Sequence, residues 1–387
     1  MLRFLTAGES HGPALVVIVE GLPAGLPVVI EDIVSELARR RLGFGRGPRM
    51  RFERDEVEFV GGVRHGHTLG SPVALVIHNS EWARSDRWHE EMNSAPGATT
   101  SPLTTPRPGH ADLAGMQKYG FGDARDVLER ASARETAARV AAGALAKRLL
   151  TSLRVDVFSH VTRIGSVAVS TEEKPRPEDL PEIDASEVRC RDSKVAAMMA
   201  SEIKAAAAAG DSLGGVVEVL AYGVPPGLGS HVHWDRRIDG LLAQALLSIP
   251  AMKAVEIGAG FEVAAQRGSS AHDAIQWSES SGEYQRSTSR AGGIEGGMTT
   301  GALLAVSVAM KPLATLNRPV LETVDVVTKE STVSFKERTD VTAVPAAGVV
   351  AETMVAWVLA AESLRKFGGD SLTEFVRNHD SYRATLR

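Results

Sequence analysis

The stretch Leu2-Arg-Phe-Leu-Thr-Ala-Gly-Glu-Ser-His-Gly-Pro-Ala-Leu-Val-Val-Ile-Val19 sets two apolar runs on either side of a polar loop bounded by glycines. Residues 2–6 and 14–19 are short and rich in large or β-branched apolar side chains, and both read as strands. His11 stands between Ser10 and Gly12, in the loop that connects them.

Outward from this pair, residues 32–42 form an amphipathic helix with Ile33, Val34, Leu37 and Ala38 on one face. The helix runs into a cluster of Arg39, Arg40, Arg41, Arg46, Arg49 and Arg51, loosened by Gly43, Gly45 and Gly47. Strands are expected at 57–63 and 73–77. A polar, proline-rich loop follows from about 79 to 110, a length typical of binding segments. Residues 123–150 read as one alanine-rich helix, and 172–181, with three prolines, as a solvated surface connection.

The second half repeats the mixture. Residues 215–220 and 302–310 are strand-like and 238–247 helical. A long helix over 345–367 stops at Gly368-Gly369, with Lys366 at its negative end. Ser371-Leu-Thr-Glu374 is a capping box that opens a last helix. No short repeat and no domain boundary is visible, so residues 1–387 are read as a single domain.

The 387 residues, 43% hydrophobic and 24% charged, can build a large core without disulfides. Cys190 is the one cysteine, which suits a reducing compartment. Its charged neighbours Arg189, Arg191 and Asp192 offer little support for a nucleophile. A net charge of -5 and 5% aromatic residues argue against nucleic acid as a partner. Glu9 ends any signal-like run at the start, and Glu352 and Glu362 interrupt the apolar stretch 344–364. The expectation is a cytoplasmic protein with no membrane partner.

Common nucleotide motifs are absent. There is no Gly-Lys pair, hence no Walker A loop. The glycine-rich run Gly292-Gly-Ile-Glu-Gly-Gly-Met-Thr-Thr-Gly301 lacks the Rossmann spacing and follows a polar segment. His65/His67 and His231/His233 with Asp235 alternate as zinc ligands on a strand would. The simpler reading has Asp235 capping a helix that begins near Arg236, and no metal is expected.

On the helix from residue 123, Arg125 can pair with Glu129, Asp126 with Arg130, and Glu135 with Arg139. Arg134 has no acid three or four positions away and faces Arg130, an arrangement that a bound anion would relieve. Arg107-Pro-Gly-His110 puts a basic residue and a proton donor on one tight turn. Beside a phosphate, His110 would be held protonated and ready to give its proton to a departing oxygen. His11 is a second candidate. Asp340 reads either as a base or as the partner of Arg338.

Seven blocks in order carry a resemblance. They are Gly8-Glu-Ser-His-Gly12, the arginine cluster, Arg107-Pro-Gly-His-Ala-Asp112, Arg130-Ala-Ser-Ala-Arg-Glu-Thr136, Asp211-Ser-Leu-Gly-Gly215, Gly292-Gly-Ile-Glu-Gly-Gly-Met298, and Arg338-Thr-Asp340 with Ala343-Val-Pro345. Together they resemble the chorismate synthase family over nearly the whole chain. The resemblance implies an α+β sandwich, with helices packed between antiparallel sheets, intertwined halves and a homotetramer. It implies 1,4-elimination of phosphate from 5-enolpyruvylshikimate 3-phosphate, with reduced FMN required and no net redox change.

By position, the resemblance gives a substrate-facing wall of Ser10, Arg40, Arg46, Arg107, Ser132, Arg134 and Arg338, which suits a substrate with one phosphate and two carboxylates. His110 would help phosphate leave, His11 would protonate or stabilise the anionic reduced flavin, and Asp340 would work with flavin N5 on the ring proton. Flavin contacts are implied at Arg130, Ala131, Ser132, Pro250, Ala251 and Gly296. Further contacts are implied at Lys311, Pro312, Leu313, Ala314, Thr315 and Arg338. A nicotinamide reductant, NADPH, is associated with Arg40 and Arg46, which are also assigned to substrate. No segment reads as a flavin reductase, so an external reductant is expected.

The chain departs from the family pattern in three places: Ser289 for asparagine, Pro250 for a polar residue, and Ala314 for serine. Each lost side-chain hydrogen bond would cost ~0.5–1.5 kcal/mol of flavin affinity. Three other classes compete: a metabolite-binding protein, a nucleic-acid binder and a metal-dependent hydrolase. The joint presence of His11, His110 and Asp340 favours the enzyme over the first.

Overall fold

The computed structural model describes residues 1–47, 53–97, 100–170, 173–280, 282–334 and 339–386. Arg338, Arg49 and Arg51 lie outside them. The two opening apolar runs are strands β1 (Arg3–Ala7) and β2 (Ala14–Glu20). With β3 (Glu56–Gly61) and β4 (Val73–His78) they form an antiparallel sheet in the order β1-β2-β4-β3. Leu15, Val17, Val19, Val73, Leu75 and Ile77 alternate along β2 and β4 onto its fully buried face.

The second sheet contains β5 (Asp156–Ile164), β6 (Val167–Ala168), β7 (Gly215–Tyr222), β8 (Met252–Ile257) and β9 (Leu304–Met310). Its order is β8-β9-β7-β5-β6, antiparallel throughout. β5 and β8 gave no clear sequence signal. In β5 the buried run includes Ser159, His160 and Thr162, which hides the apolar alternation.

Helices fill the space between the sheets. The helices labelled here, not all of them in that layer, are, in chain order, α1 (Ile30–Arg41), α2 (Asp86–Glu91), α3 (Arg125–Ala131), α4 (Thr136–Thr151), α5 (Ile238–Leu247), α6 (Val344–Phe367) and α7 (Leu372–Ala384), and other helices are given by their residues. α4 packs on the first sheet, α6 on the second, and the two pack on each other with α1 alongside. This is an α+β sandwich of sheet, helix, helix and sheet, and one continuous apolar core runs through it. At Gly143 α4 packs directly on α6: a Cβ there would stand 2.3 Å from Thr353 Cβ. The halves interleave, since Ala24 N–H donates to Asp370 O (2.8 Å) and Leu372 N–H to Ala24 O (2.9 Å).

Two expectations change. The single helix over 123–150 is broken into α3, a 3-10 turn at Ala133–Glu135, and α4. The break is Ser132, extended at φ -62° and ψ 144°, whose hydroxyl accepts the Arg134 N–H at 3.3 Å. A serine able to bond its neighbours' backbone competes with the helix there. The surface connection also folds, as a 3-10 turn Pro177–Asp179 and a helix Leu180–Ala185 that buries Ile183. Ile183 packs with Phe158 and Leu220 of the second sheet.

α6 is long and apolar enough to cross a membrane, yet it is buried in the core. Gly368 ends it and the expected capping box at Ser371 and Glu374 opens α7.

Candidate active site

A cavity of about 750 Å³ opens where the interleaved halves meet, within the ~300–1,000 Å³ range of small-molecule sites. Ser10 and His11 enter from the β1–β2 loop, Arg40 from the end of α1, and Arg46 and Gly47 from the loop beyond. Arg107 and His110 enter from the turn before the helix Asp112–Tyr119, and Ala131, Ser132 and Arg134 from the break between α3 and α4. The end of the second sheet adds Ile249, Pro250 and Ala251 ahead of β8, and Lys311, Leu313, Ala314 and Thr315 after β9. These loops are tied together by the Lys311 N–H donating to Ala251 O (3.0 Å) and the Ser212 hydroxyl to Leu313 O (2.8 Å). Ala343, at the N-cap of α6, and Ala346, Ala347 and Val350 within it complete an apolar wall of small side chains, and Asp340 lies just before it.

His110 sits on a turn held by its own sequence neighbours. Its Nδ1 is 2.5 Å from Asp112 Oδ1, and Arg107 Nε donates to Asp112 Oδ2 at 2.8 Å. Burial alone would raise the Asp112 carboxyl, but hydrogen bonds from His110 and Arg107 outweigh it and hold the group well below the usual carboxylate range. Nδ1–H therefore points at an anion, and Arg107 Nη2 lies 3.5 Å from Nε2, the ring nitrogen that can carry the second proton. Arg107 also donates to Thr315 Oγ1 at 3.1 Å, linking the turn to the loop after β9.

Asp340 takes the Gly47 N–H on Oδ1 at 2.5 Å and lies 3.2 Å from Arg46 Nε through Oδ2. Neither sequence reading named Arg46 as its partner, and Arg338, the partner considered there, lies outside the described residues. Arg40 is buried, donating from Nε to Thr136 Oγ1 (3.0 Å) and from Nη2 to Ala133 O (3.1 Å). The Ser132 hydroxyl meets that of Ser10 at 3.0 Å. Burial and the charge of Lys253 lower the Lys311 ammonium, a shift that an anion in the cavity would oppose.

Several expectations are corrected. Arg134 lines the cavity but its side chain does not turn towards Arg130. It bonds Asp55, donates to Asn79 Oδ1 at 2.8 Å and lies 3.6 Å from Glu53, all partners distant in sequence. Arg130 instead donates to Gly8 O (3.1 Å) and Thr6 O (3.0 Å), bracing the Ser10–His11 loop from outside the cavity wall. Pro312 is exposed, and Gly296 is an exposed residue in the turn between Ile294–Glu295 and Met298–Thr299; neither lines the cavity. Of the three departures, Pro250 and Ala314 are on the wall and Ser289 is not.

Asp235 caps no long helix. It lies inside the 3-10 turn Trp234–Arg236, 3.0 Å from His233, and α5 begins later at Ile238. His65 and His67 belong to a small surface hairpin. Among the described residues no three His, Cys, Asp or Glu side chains are grouped to hold a metal. Cys190 is buried and burial raises its thiol.

Sequence reasoning missed three residues around His11. Glu129, assigned to Arg125, instead takes the His11 N–H (2.8 Å) and faces its Nδ1 (2.8 Å). Glu81 Oε2 lies 3.7 Å from Nε2, and Trp88 of α2 stacks on the ring. Only the length of the loop containing Glu81 and Trp88 hinted at a role.

The family model described as chorismate synthase matches residues 2–364. The chorismate synthase of Thermobifida fusca is 56% identical over 396 residues, covering 100% of this chain and 99% of the relative. That of Frankia casuarinae is 58% identical over 393 residues, again covering 100% and 99%. A solved structure, "Crystal Structure of Chorismate Synthase", superposes with a TM-score of 0.80 at 41% identity, covering 100% of this chain and 98% of that one. On the sequence match and the shared fold, the chain belongs to the chorismate synthase family.

Proposed function

We propose that this chain is a carbon–oxygen lyase that converts 5-enolpyruvylshikimate 3-phosphate to chorismate by 1,4-anti elimination of phosphate, with no net redox change. This is the last common step of aromatic amino acid biosynthesis. One observation carries the reading: His11, His110 and Asp340, from three distant parts of the chain, line one cavity together with Arg40, Arg46 and Arg107. Guanidinium forks at a largely buried site suit a ligand with a phosphate and two carboxylates.

Reduced FMN fits the remaining wall. Small residues at Ala251, Ala314, Ala343, Ala346 and Ala347 leave room for a flat ring, and Lys311 offers a cation. Ala131, Ser132, Pro250, Leu313 and Thr315 would hold it with them, and Pro250 and Ala314 would do so without a side-chain hydrogen bond. Arg130, Gly296 and Pro312 stand off this wall, and we leave them out of the flavin set. When bound, reduced FMN supplies electron density transiently to the substrate ring as the C–O bond breaks.

The chain's own groups handle the protons. His110, anchored through Nδ1 to Asp112, gives its Nε2 proton to the departing phosphate oxygen. Asp340, oriented by Arg46 and the Gly47 N–H, receives the ring proton. His11 offers a proton or a positive charge to the anionic form of the cofactor. Ser10, Ser132 and Arg107 orient the substrate, and we assign Arg40 and Arg46 to it rather than to NADPH. The reductant of the flavin is external, and the working assembly is a homotetramer.

Anaerobic turnover of 5-enolpyruvylshikimate 3-phosphate tests the reading. Chorismate is expected with chemically reduced FMN and none with oxidised FMN. Substrate binding without turnover would favour a binding protein. Chorismate formation driven by NADPH and oxidised FMN with the purified chain alone would overturn the external reductant.

A further inference from the structure

Asn79 follows the last residue of β4 and is only 3% exposed. It stands opposite Pro13, one step beyond the Ala14–His78 pair that ends the register between β2 and β4. Its N–H donates to Pro13 O at 3.1 Å, but a proline has no N–H to return, so the ladder stops there. The Asn79 side chain takes over where the backbone leaves off. Its Nδ2 donates to Gly12 O at 2.6 Å and to Glu9 O at 3.2 Å, carbonyls on either side of Ser10 and His11.

The N–H groups of the same loop go to another element. Ser10 N–H donates to Glu129 O at 3.1 Å and His11 N–H to Glu129 Oε2 at 2.8 Å, both on α3. Asn79 and Glu129 thus divide the loop backbone between them, the carbonyls of residues 9, 12 and 13 to one and the N–H groups of 10 and 11 to the other. With five backbone groups fixed along five residues, the loop presents its side chains in one direction.

Oδ1 of Asn79 serves a different wall, accepting Arg134 Nε at 2.8 Å. A guanidinium only donates and a carbonyl only accepts, so this orientation of the amide satisfies all three contacts. Turned over, it would set Nδ2 against Arg134 Nε and Oδ1 against two carbonyl oxygens. A carboxamide is the side-chain group that offers two donors and an acceptor in one plane, and all are used here. Ser10, His11 and Arg134 all line the cavity, and one buried amide joins the two elements that bring them there.

We propose that Asn79 is a positioning residue for the reaction: its carboxamide fixes the Ser10–His11 loop and the Arg134 guanidinium relative to each other in the cavity wall. The kinetic part of this inference rests on the function proposed above, and the structural part does not.

Two measurements test it. The first is kinetic. Asn79→Asp has the same size, keeps an acceptor for Arg134 and replaces both loop donors by an oxygen. It lowers kcat roughly tenfold to a hundredfold while KM stays within about threefold, the signature of lost orientation beside an intact binding wall. Asn79→Ala removes the Arg134 contact as well, so kcat falls and KM rises by more than about threefold. The second is hydrogen exchange of the ligand-free chain, followed by mass spectrometry. In both variants the amides of residues 9–12 exchange at least about tenfold faster than in the parent, while those of residues 15–19 in β2 keep the parent rate.

Parent kcat in a folded Asn79→Asp chain would overturn the proposal. So would kcat and KM that change in parallel in the two variants, or loop exchange that stays at the parent rate or rises only together with that of β2. Should one variant fail to fold, the other decides through its own kcat and loop exchange. A parent chain without turnover would sink the reaction and leave the exchange measurement to judge Asn79 by itself.

Discussion

At the scale of single residues, His110 shows how a short motif can carry both a group and its support. Arg107, His110 and Asp112 lie within six positions, and in the folded chain all three touch. Asp112 is fully buried yet stays anionic, because His110 and Arg107 give it hydrogen bonds. His110→Ala is therefore expected to reduce kcat by roughly 10²–10⁴-fold, the usual worth of a general acid, while KM stays within about threefold. Single-turnover and steady-state kinetics check this. An unchanged kcat would remove His110 from the mechanism. Arg134 is the opposite case. It has no partner on its own helix, yet Asp55 and Asn79 reach it across 79 and 55 positions of sequence. Local spacing cannot see partners at that distance.

At the scale of elements, some helix boundaries were legible in local chemistry and some were not: Ser193–Ala209, capped by the Asp192 side chain and ended by Gly210, was not read as a helix. α5 was read to the residue from its apolar periodicity, with no side-chain cap at its start, while the stop at Gly368 and the capping box of α7 follow from local chemistry. The break at Ser132 was not legible, because one serine in an alanine-rich run is tolerated as often as not and tertiary contacts at Ser10 and Arg134 decide it. α6 carries the sharpest stability prediction. Glu352 is fully buried in it, bonding Arg39, Lys147 (2.9 Å) and Ser159 (2.7 Å) and lying 3.6 Å from Arg189. Burial alone would raise this carboxyl, but the three positive charges hold it well below the usual range. Burial also brings the Arg189 guanidinium down to about 10.

A carboxylate with a depressed folded-state value adds stability that is present above its unfolded value of about 4.3 and is lost as pH falls towards the folded one. Glu352→Gln should thus cost ~3–5 kcal/mol near neutrality, as breaking a buried ion pair does. It should also flatten the fall in stability below about pH 5. Urea unfolding between pH 3 and 7 measures both. A parallel pH dependence in the variant would show that Glu352 is not the group responsible.

At the scale of the whole molecule, the cavity exists because the halves interleave. β1–β2, α1 and α3 come from the first part of the chain, and β8, β9 and α6 from the second, and neither set alone encloses the space. The outer face of the first sheet leaves Leu5 and Ile18, neighbours in register, 67% and 45% exposed. Apolar surface of that kind invites a partner surface. The proposed homotetramer predicts a solution mass of four 41.1-kDa chains by light scattering. A single-chain mass would overturn it.

The sequence by itself determined most of the elements, their caps, the residues able to carry charge and protons, and, through seven ordered blocks, the family. These depend on neighbours a few positions apart or on the identity of whole motifs. Only the tertiary structure decided which arginines are held by carboxylates, that Glu129 serves His11 and not Arg125, that Trp88 lies beneath that ring, and that Gly296 stands away from the cavity. Those outcomes rest on contacts between residues tens to hundreds of positions apart, which exist only once the helices have packed between the two sheets.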